Sequence, residues 1–470
     1  LMIFITEVIP SILIIFLIYL IGKSLFNKKV GLIAGYIMSF YWVLHFYSYR
    51  FLTDIPTVFL GLTSIYFFWE YYLKREKNRG LYLSVFFGVL GFYSRFPTAL
   101  VLMSIAAFLI LKKKAKIFTS KEIWIALLLG VLFLSPYFIY NKIALGSLFP
   151  AGAFYGSQNL TVYNEPAWFL LKLAITLIGN VLAVFLAIGA IYSIGRIIIN
   201  YDFILKKKSS ADNELFILLL LAIQIIYYLF IIKTGNDRWI LLWMPSLFFY
   251  IAIGLSKSSD FISKYYKHAG TLLIIAVLLI SAYPQIKYND SLIKNKLDSY
   301  KEVKDIGLWL KHNTEKDAKI LEASVVQNTY YSQRRTYDFY TGTEFHNIVE
   351  NGVVDPNGRI IGRTYQAIRN ETELECKFLR IKPDYLVLHP WEPEFTPQFM
   401  YDYPARNPDL FEPLKAFNRG EQITGAIYKF IKYPEINEAE VNCTDAYERP
   451  ENITGLHLSV KSPYKYAIPS

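Results

Sequence analysis

Tyr49-Arg50-Phe51-Leu52-Thr53-Asp54-Ile55-Pro56 separates two long apolar runs, Val30 to Phe46 and Ile55 to Leu73. Runs of about 17 to 25 such residues cross a bilayer, so the stretch between them places Arg50 and Asp54 where membrane meets water. An acid there has two readings. Asp54 followed by Pro56 is a good helix start, with a carboxylate on the first backbone N–H groups and proline in the first turn. Ionisable groups at membrane depth are also costly, and those present usually line a cavity or a substrate path.

Working outward, about ten apolar segments follow one another: Val8–Gly22, Val30–Phe46, Ile55–Leu73, Leu81–Tyr93, Pro97–Leu111, Ile123–Tyr140, Trp168–Ile194, Leu215–Ile232, Trp239–Leu255 and Thr271–Tyr283. With 54% hydrophobic and 17% aromatic residues and a mean hydropathy of +0.30, the chain is a membrane protein. The net charge of +11 does not point to nucleic acid, because Lys and Arg sit in short clusters between apolar runs rather than along a stripe. Alternate connections carry Lys28 and Lys29, Lys74 to Arg79, Lys112 to Lys121, Lys206 to Lys208, and Lys257 to Lys267. The positive-inside rule makes these cytoplasmic. The intervening loops then face outward, and so does everything after Tyr283. The Asn-x-Ser/Thr sequons at Asn159, Asn289, Asn370, Asn442 and Asn452 all fall on that outward side. The expected location is the plasma membrane, as a multi-pass protein.

At Pro284 the composition turns polar, with short β-rich runs at Lys319–Val326 and Asp384–His389 and a helix-like segment at Asp298–Asn313. The expected organisation is therefore a polytopic α-helical membrane domain over 1–284, an extracytoplasmic α/β domain over 285–433 ending in a hairpin that turns at Arg419-Gly420, and a polar tail over 434–470. Cys376 and Cys443 are the only cysteines, and on the outward side they can either pair or stay free. The chain starts at Leu1-Met2 with no basic segment before the first apolar run, so an N-terminal segment is expected to precede it.

The sequence has no Walker A loop, dinucleotide fingerprint, Gly-x-Ser-x-Gly elbow or His-Glu-x-x-His. What remains is a set of outward charges: Arg50 with Asp54, Arg95 in Tyr-Ser-Arg-Phe-Pro, and Asp237 with Arg238 in Gly-Asn-Asp-Arg-Trp. Guanidinium forks suit a phosphate. Each has a plainer reading too: Arg95 as a snorkelling residue at a helix boundary, and Asp237-Arg238 as an interfacial ion pair beside Trp239. Arg334-Arg335 can bind an acidic acceptor or a donor phosphate, but reads first as a solvated pair in a turn.

Three stretches carry a resemblance. Gly22 to Gly35 (Gly-Lys-Ser-Leu-Phe-Asn-Lys-Lys-Val-Gly-Leu-Ile-Ala-Gly), Thr53-Asp54-Ile55-Pro56 and Tyr93 to Leu100 resemble the integral-membrane GT-C glycosyltransferases, in the branch of protein mannosyltransferases and lipid A aminoarabinose transferases. Asn236-Asp237-Arg238-Trp239 through Met244-Pro245 is similar to that branch's Arg-Tyr-x-x-x-x-x-Pro pattern, with Trp in place of Tyr. The Trp-Trp-Asp signature of oligosaccharyltransferases is absent from the sequence.

The resemblance implies transfer of a sugar from a polyprenyl-phosphate lipid to a protein, lipid or glycan acceptor on the outer face, with inversion. It implies that Arg50, Arg95, Asp237 and Arg238 bind the donor phosphate. Asp54 matches the family's second acid, catalytic or holding a divalent Mg or Mn. The first acid of the pattern would lie upstream of Leu1, so this chain alone is expected to have little activity. Two other functions compete: a transporter or flippase of a phosphate-bearing lipid or glycan, and a non-catalytic partner in a surface glycosylation complex.

Overall fold

The computed structural model describes residues 2–145, 148, 168–200, 211–232, 235–297, 300–339, 353–354, 360–362, 368, 370–390, 396–420 and 422–435. The chain divides into two compact units, one of residues 1–149 with 159–294 and one of residues 150–158 with 295–470. The sequons at Asn159, Asn442 and Asn452, and the tail beyond Glu435, lie outside the described residues.

The first unit is helical. A wide turn over Phe4–Val8 leads into α1 (Ile9–Leu25), then α2 (Lys28–Phe40), α3 (Trp42–Ser48), α4 (Asp54–Tyr66, prolonged by Phe67–Lys74), α5 (Asn78–Ser94), α6 (Thr98–Lys113) and α7 (Lys121–Leu145). There follow α8 (Phe169–Ile178), α9 (Asn180–Ile199), α10 (Asp212–Ile226, prolonged to Ile232), α11 (Met244–Ser263) and α12 (Ala269–Leu297). Among the described residues, five helices can cross a membrane by length and composition, or six if α2 and α3, bent by 54° at Tyr41, count as one. The apolar run Trp168–Ile194 is not one helix: it breaks at Gly179, where φ is +82°, a conformation that side chains with a Cβ avoid. The sequence boundary at Pro284 falls inside α12.

The apolar surface of α7 is turned outward, with Leu128, Val131, Leu132 and Ile143 exposed. Such a surface is stable against lipid rather than water. Packing inside the unit depends on small residues. A Cβ on Gly189 of α9 would lie 1.8 Å from the Tyr250 carbonyl of α11, and one on Gly254 would lie 2.1 Å from the Phe185 carbonyl. The two backbones therefore touch at this crossing, the close approach small residues permit in membrane helix pairs.

The second unit is α/β. Its main sheet runs β2 (Arg335–Tyr337), β1 (Lys319–Leu321), β5 (Tyr385–Leu388), β7 (Gln422–Phe430), β6 (Phe411–Arg419), with a separate pair β3 (Val353–Val354) and β4 (Ile360–Gly362). β1 is parallel to β2 and β5, while β7 is antiparallel to both β5 and β6. Helices α13 (Lys301–Asn313), α14 (Val325–Ser332) and α15 (Glu371–Ile381) accompany it. One cluster of buried apolar side chains is built on Leu321, Phe378, Leu386 and Phe411, the other on Ile306, Leu310, Ile320 and Val387. Alternate residues of β1 and β5 thus feed opposite faces, as the pleat requires. The β6–β7 hairpin turns at Arg419-Gly420 as expected.

Arg334-Arg335 is not a solvated pair. Arg335 starts β2, but Arg334 is buried and its guanidinium donates to the carbonyl oxygens of Lys311 and Thr314 at 2.7 Å each, closing the C-terminus of α13. The last carbonyls of a helix have no partner within it, and a cation is favoured there. Cys376 is disulfide-bonded, and Cys443 is the only other cysteine in the chain.

Candidate active site

The helices of the first unit have chemically different ends. At one end, Lys and Arg of α2, α4, α6 and α9 pair with acids; at the other lie Arg50, Asp54, Arg95, Asp237 and Arg238, at the α3–α4, α5–α6 and α10–α11 junctions.

Asp54 opens α4, one residue after its N-cap Thr53. Its carboxylate forms an ion pair with Arg95, the residue that closes α5 in extended conformation. Asp54 is 5% exposed and Arg95 26%. Thr57 and Ser94 tie the two helix ends together: the Thr57 hydroxyl donates to Ser94 Oγ at 3.1 Å, and Ser94 donates to the Thr53 carbonyl at 3.2 Å. Asp54 is thus committed to a cation and is not the cap of its own helix.

Asp237 and Arg238 lie in a run of tight turns between α10 and α11. The Asp237 carboxylate accepts from the Tyr47 hydroxyl at 3.1 and 3.2 Å and from the Arg238 N–H at 2.8 Å. Burial raises the Asp237 carboxyl above its ordinary value, against those hydrogen bonds and the positive charges of Arg238 and Arg50. Arg50 stacks on the Phe46 ring with its guanidinium carbon 4.0 Å from the centroid, a position in which the cation keeps its charge and gains from the ring face. The structure therefore groups Arg50 and Arg238 around Asp237, and pairs Arg95 with Asp54.

Buried donors without acceptors occur in and just after the Asp237-Arg238 turns and on Tyr41. Arg238 Nε, Trp239 Nε1, Trp243 Nε1 and the Tyr41 hydroxyl are buried and make no hydrogen bond, and Tyr41 lies in the field of Asp237. Buried donors are rarely left unmatched unless an acceptor arrives with a ligand.

Sequence reasoning missed Glu7. It lies in the wide turn before α1, is 1% exposed, and accepts a hydrogen bond from the Leu52 backbone while its Oε2 makes none. Leu52 is two residues from Asp54 in the α3–α4 junction. The signal was available, since an acid inside an apolar membrane run is a functional candidate by default. Among the described residues no group of three or more His, Cys, Asp or Glu is placed to hold a metal ion.

These features define a polytopic membrane protein with a buried, donor-rich polar site at one end of its helices, carrying a separate α/β unit. The family of dolichyl-phosphate-mannose-protein mannosyltransferases matches residues 1–140. In fold the chain resembles ArnT from Cupriavidus metallidurans in the apo state, with TM-score 0.58 and 8% identity over 90% of this chain and 82% of that one. The same protein bound to undecaprenyl phosphate gives TM-score 0.56 at 8% identity, covering 90% and 83%. The Archaeoglobus fulgidus oligosaccharyltransferase tethered with an acceptor peptide containing the NVT sequon gives TM-score 0.51 at 16% identity, over 82% of this chain and 57% of that one. No curated protein sequence matches. At such identities the structural likeness is one of fold.

Proposed function

We propose that the chain is a GT-C glycosyltransferase that moves a sugar from a polyprenyl-phosphate-linked donor to a hydroxyl-bearing acceptor at the outward face of the membrane. The observation that carries this reading is the surplus of buried donors around Arg238, together with Arg50. A donor phosphate supplies the acceptor oxygens they lack, and charge-assisted bonds of this kind are the strong ones.

In the reaction an acceptor hydroxyl attacks the anomeric carbon, the bond from that carbon to the phosphate oxygen breaks, and the electron pair leaves with the phosphate. Arg238 and Arg50 stabilise the charge that develops there. Asp237 holds the Arg238 backbone and Tyr47 in place. The hydroxyl proton needs a carboxylate with an uncommitted oxygen; Asp54 is held by Arg95, so we assign proton acceptance to Glu7. Asp54 then positions Arg95. No step is routed through a metal.

The test is binding of polyprenyl phosphate to the full chain in detergent, by native mass spectrometry, for wild type, Arg238→Ala and Glu7→Gln. Arg238→Ala should weaken binding about 10- to 100-fold, the worth of one or two charged hydrogen bonds. Glu7→Gln should bind normally and abolish transfer. Normal binding by Arg238→Ala would remove the basis of this assignment.

A further inference from the structure

The opposite, lysine-rich end of the same helices holds a cavity of about 550 Å³. It is walled by the aromatic side chains of Trp69, Tyr72 and Phe108 and lined by six charges, Lys74, Lys112, Lys113, Glu76, Glu122 and Asp212. The twenty residues of helix from Asp54 to Lys74 put it about 30 Å from the candidate active site at 1.5 Å per residue. It is a separate site.

Its charges are balanced, and four of the six pair with one another. Lys112 meets Asp212 at 2.8 Å, and Lys113 meets Glu122 at 2.5 Å, all partly buried. A simple anion entering here would bring its charge against three carboxylates, and a simple cation against three ammonium groups. A ligand with both signs meets neither penalty: its phosphate can take up Lys112 and Lys113 while its ammonium takes up Asp212 and Glu122. The Tyr72 hydroxyl is buried beside the Lys113 ammonium, from which its oxygen can accept, while its own O–H has no acceptor. It is a donor available to a phosphate oxygen.

The flanking helices indicate how the ligand is delivered. α1 and α10 are long enough and apolar enough to cross a membrane, and the cavity lies at the ends of both, lined by Ser24 and Asp212. That is headgroup depth, and the positive-inside rule assigns it to the cytoplasmic leaflet. We propose that this cavity binds the headgroup of an aminophospholipid, a phosphate and a primary ammonium on one molecule, with the acyl chains leaving past Trp69 and Phe108.

The experiment is native mass spectrometry of the full chain with matched-chain phosphatidylethanolamine, phosphatidylglycerol and phosphatidylcholine. The ethanolamine lipid should be retained at least tenfold more strongly than either of the others. Retention should fall at least tenfold in the charge-balanced double variant Lys112→Gln/Asp212→Asn, and several-fold in Tyr72→Phe, which leaves every ion pair intact and covers the case in which the double variant does not fold. Glu7→Gln should retain the lipid as wild type does, which separates this site from the active site. Free phosphoethanolamine should bind at least tenfold more weakly than the lipid; equal binding would overturn the lipid assignment. Equal retention of the three lipids, preference for phosphatidylglycerol, or unchanged retention in folded double variant and Tyr72→Phe would overturn the site.

Discussion

Removing Asp54 should cost more through Arg95 than through Asp54 itself. Asp54 is 5% exposed and Arg95 26%, so the pair is largely desolvated, though water reaches the guanidinium. Breaking a buried pair by deleting one partner costs about 3–5 kcal/mol, because the survivor stays buried and uncompensated. The residual exposure of Arg95 places Asp54→Asn at or just below the lower end of that range, about 2–3 kcal/mol. Loss of the negative charge from the first turn of α4 adds about 0.5 kcal/mol through the helix dipole. Arg95→Gln should cost a similar amount by stranding Asp54. The double variant strands neither charge and should lose no more than either single one, a coupling of about 2 kcal/mol. Heat-induced loss of the folded form in detergent, followed by intrinsic fluorescence across the four proteins, reads this out as a rank order. Since membrane proteins often unfold irreversibly, the order is compared at one scan rate. If the double variant is as unstable as the two single effects added together, Asp54 and Arg95 are independent and the positioning role fails. If Asp54→Asn is as stable as wild type but inactive, Asp54 is a reagent after all.

Other consequences follow from single contacts. Gly189→Ala places a methyl 1.8 Å from the Tyr250 carbonyl, so α9 and α11 must move apart; overpacking of this kind costs about 1–3 kcal/mol or more, and the melting temperature should fall by several degrees while Gly195→Ala, with open space around it, leaves it unchanged. Arg334→Ala leaves the Lys311 and Thr314 carbonyls without their guanidinium donor, at about 1–3 kcal/mol; faster proteolysis within the α/β unit should report it, and Arg334→Lys should restore only part because a single ammonium cannot also replace the Nε and Nη1 bonds to Thr314 Oγ1 and the Ser332 carbonyl. Cys376→Ser removes a disulfide worth about 2–4 kcal/mol, so the α/β unit of that variant should be cut by protease at a lower temperature than wild type, and equal resistance would mean the bond is not formed in the folded protein.

Much of the fold was legible because it follows from local composition. Apolar runs, lysine clusters at alternate connections and the change at Pro284 all report the solvent that each segment meets. The interruptions were less legible: Tyr41 and Gly179 break runs of unbroken apolarity, and only tertiary packing decides that. At the site, Asp54, Arg95, Asp237 and Arg238 stand out as charges beside greasy segments, whereas their partners do not. Tyr47 and Asp237 are 190 residues apart, and no local pattern joins them. Arg334 was misread for a related reason. Two adjacent arginines look alike in sequence, but the pleat of β2 and the end of α13 give them opposite environments, one buried under carbonyls and one at the surface.

Glu7 shows why an even reading of charges matters. It was passed over because it sits before Val8 and Ile9 with no turn signal, and an acid in an apolar run looks like noise. Burial with one oxygen unmatched changes its meaning: a carboxylate with a free lone pair is a proton acceptor, while one locked to a guanidinium is a support. On the proposed mechanism Asp54 is the support, since its salt bridge with Arg95 occupies the charge a base would need. The two acids at this end are therefore separated by their partners rather than by their chemistry. Exchanging Glu7→Asp, which keeps the acid but shortens its reach, should reduce transfer far more than polyprenyl phosphate binding, while Asp54→Glu should disturb both through Arg95. Equal loss of binding and transfer in Glu7→Asp would return Glu7 to a structural role.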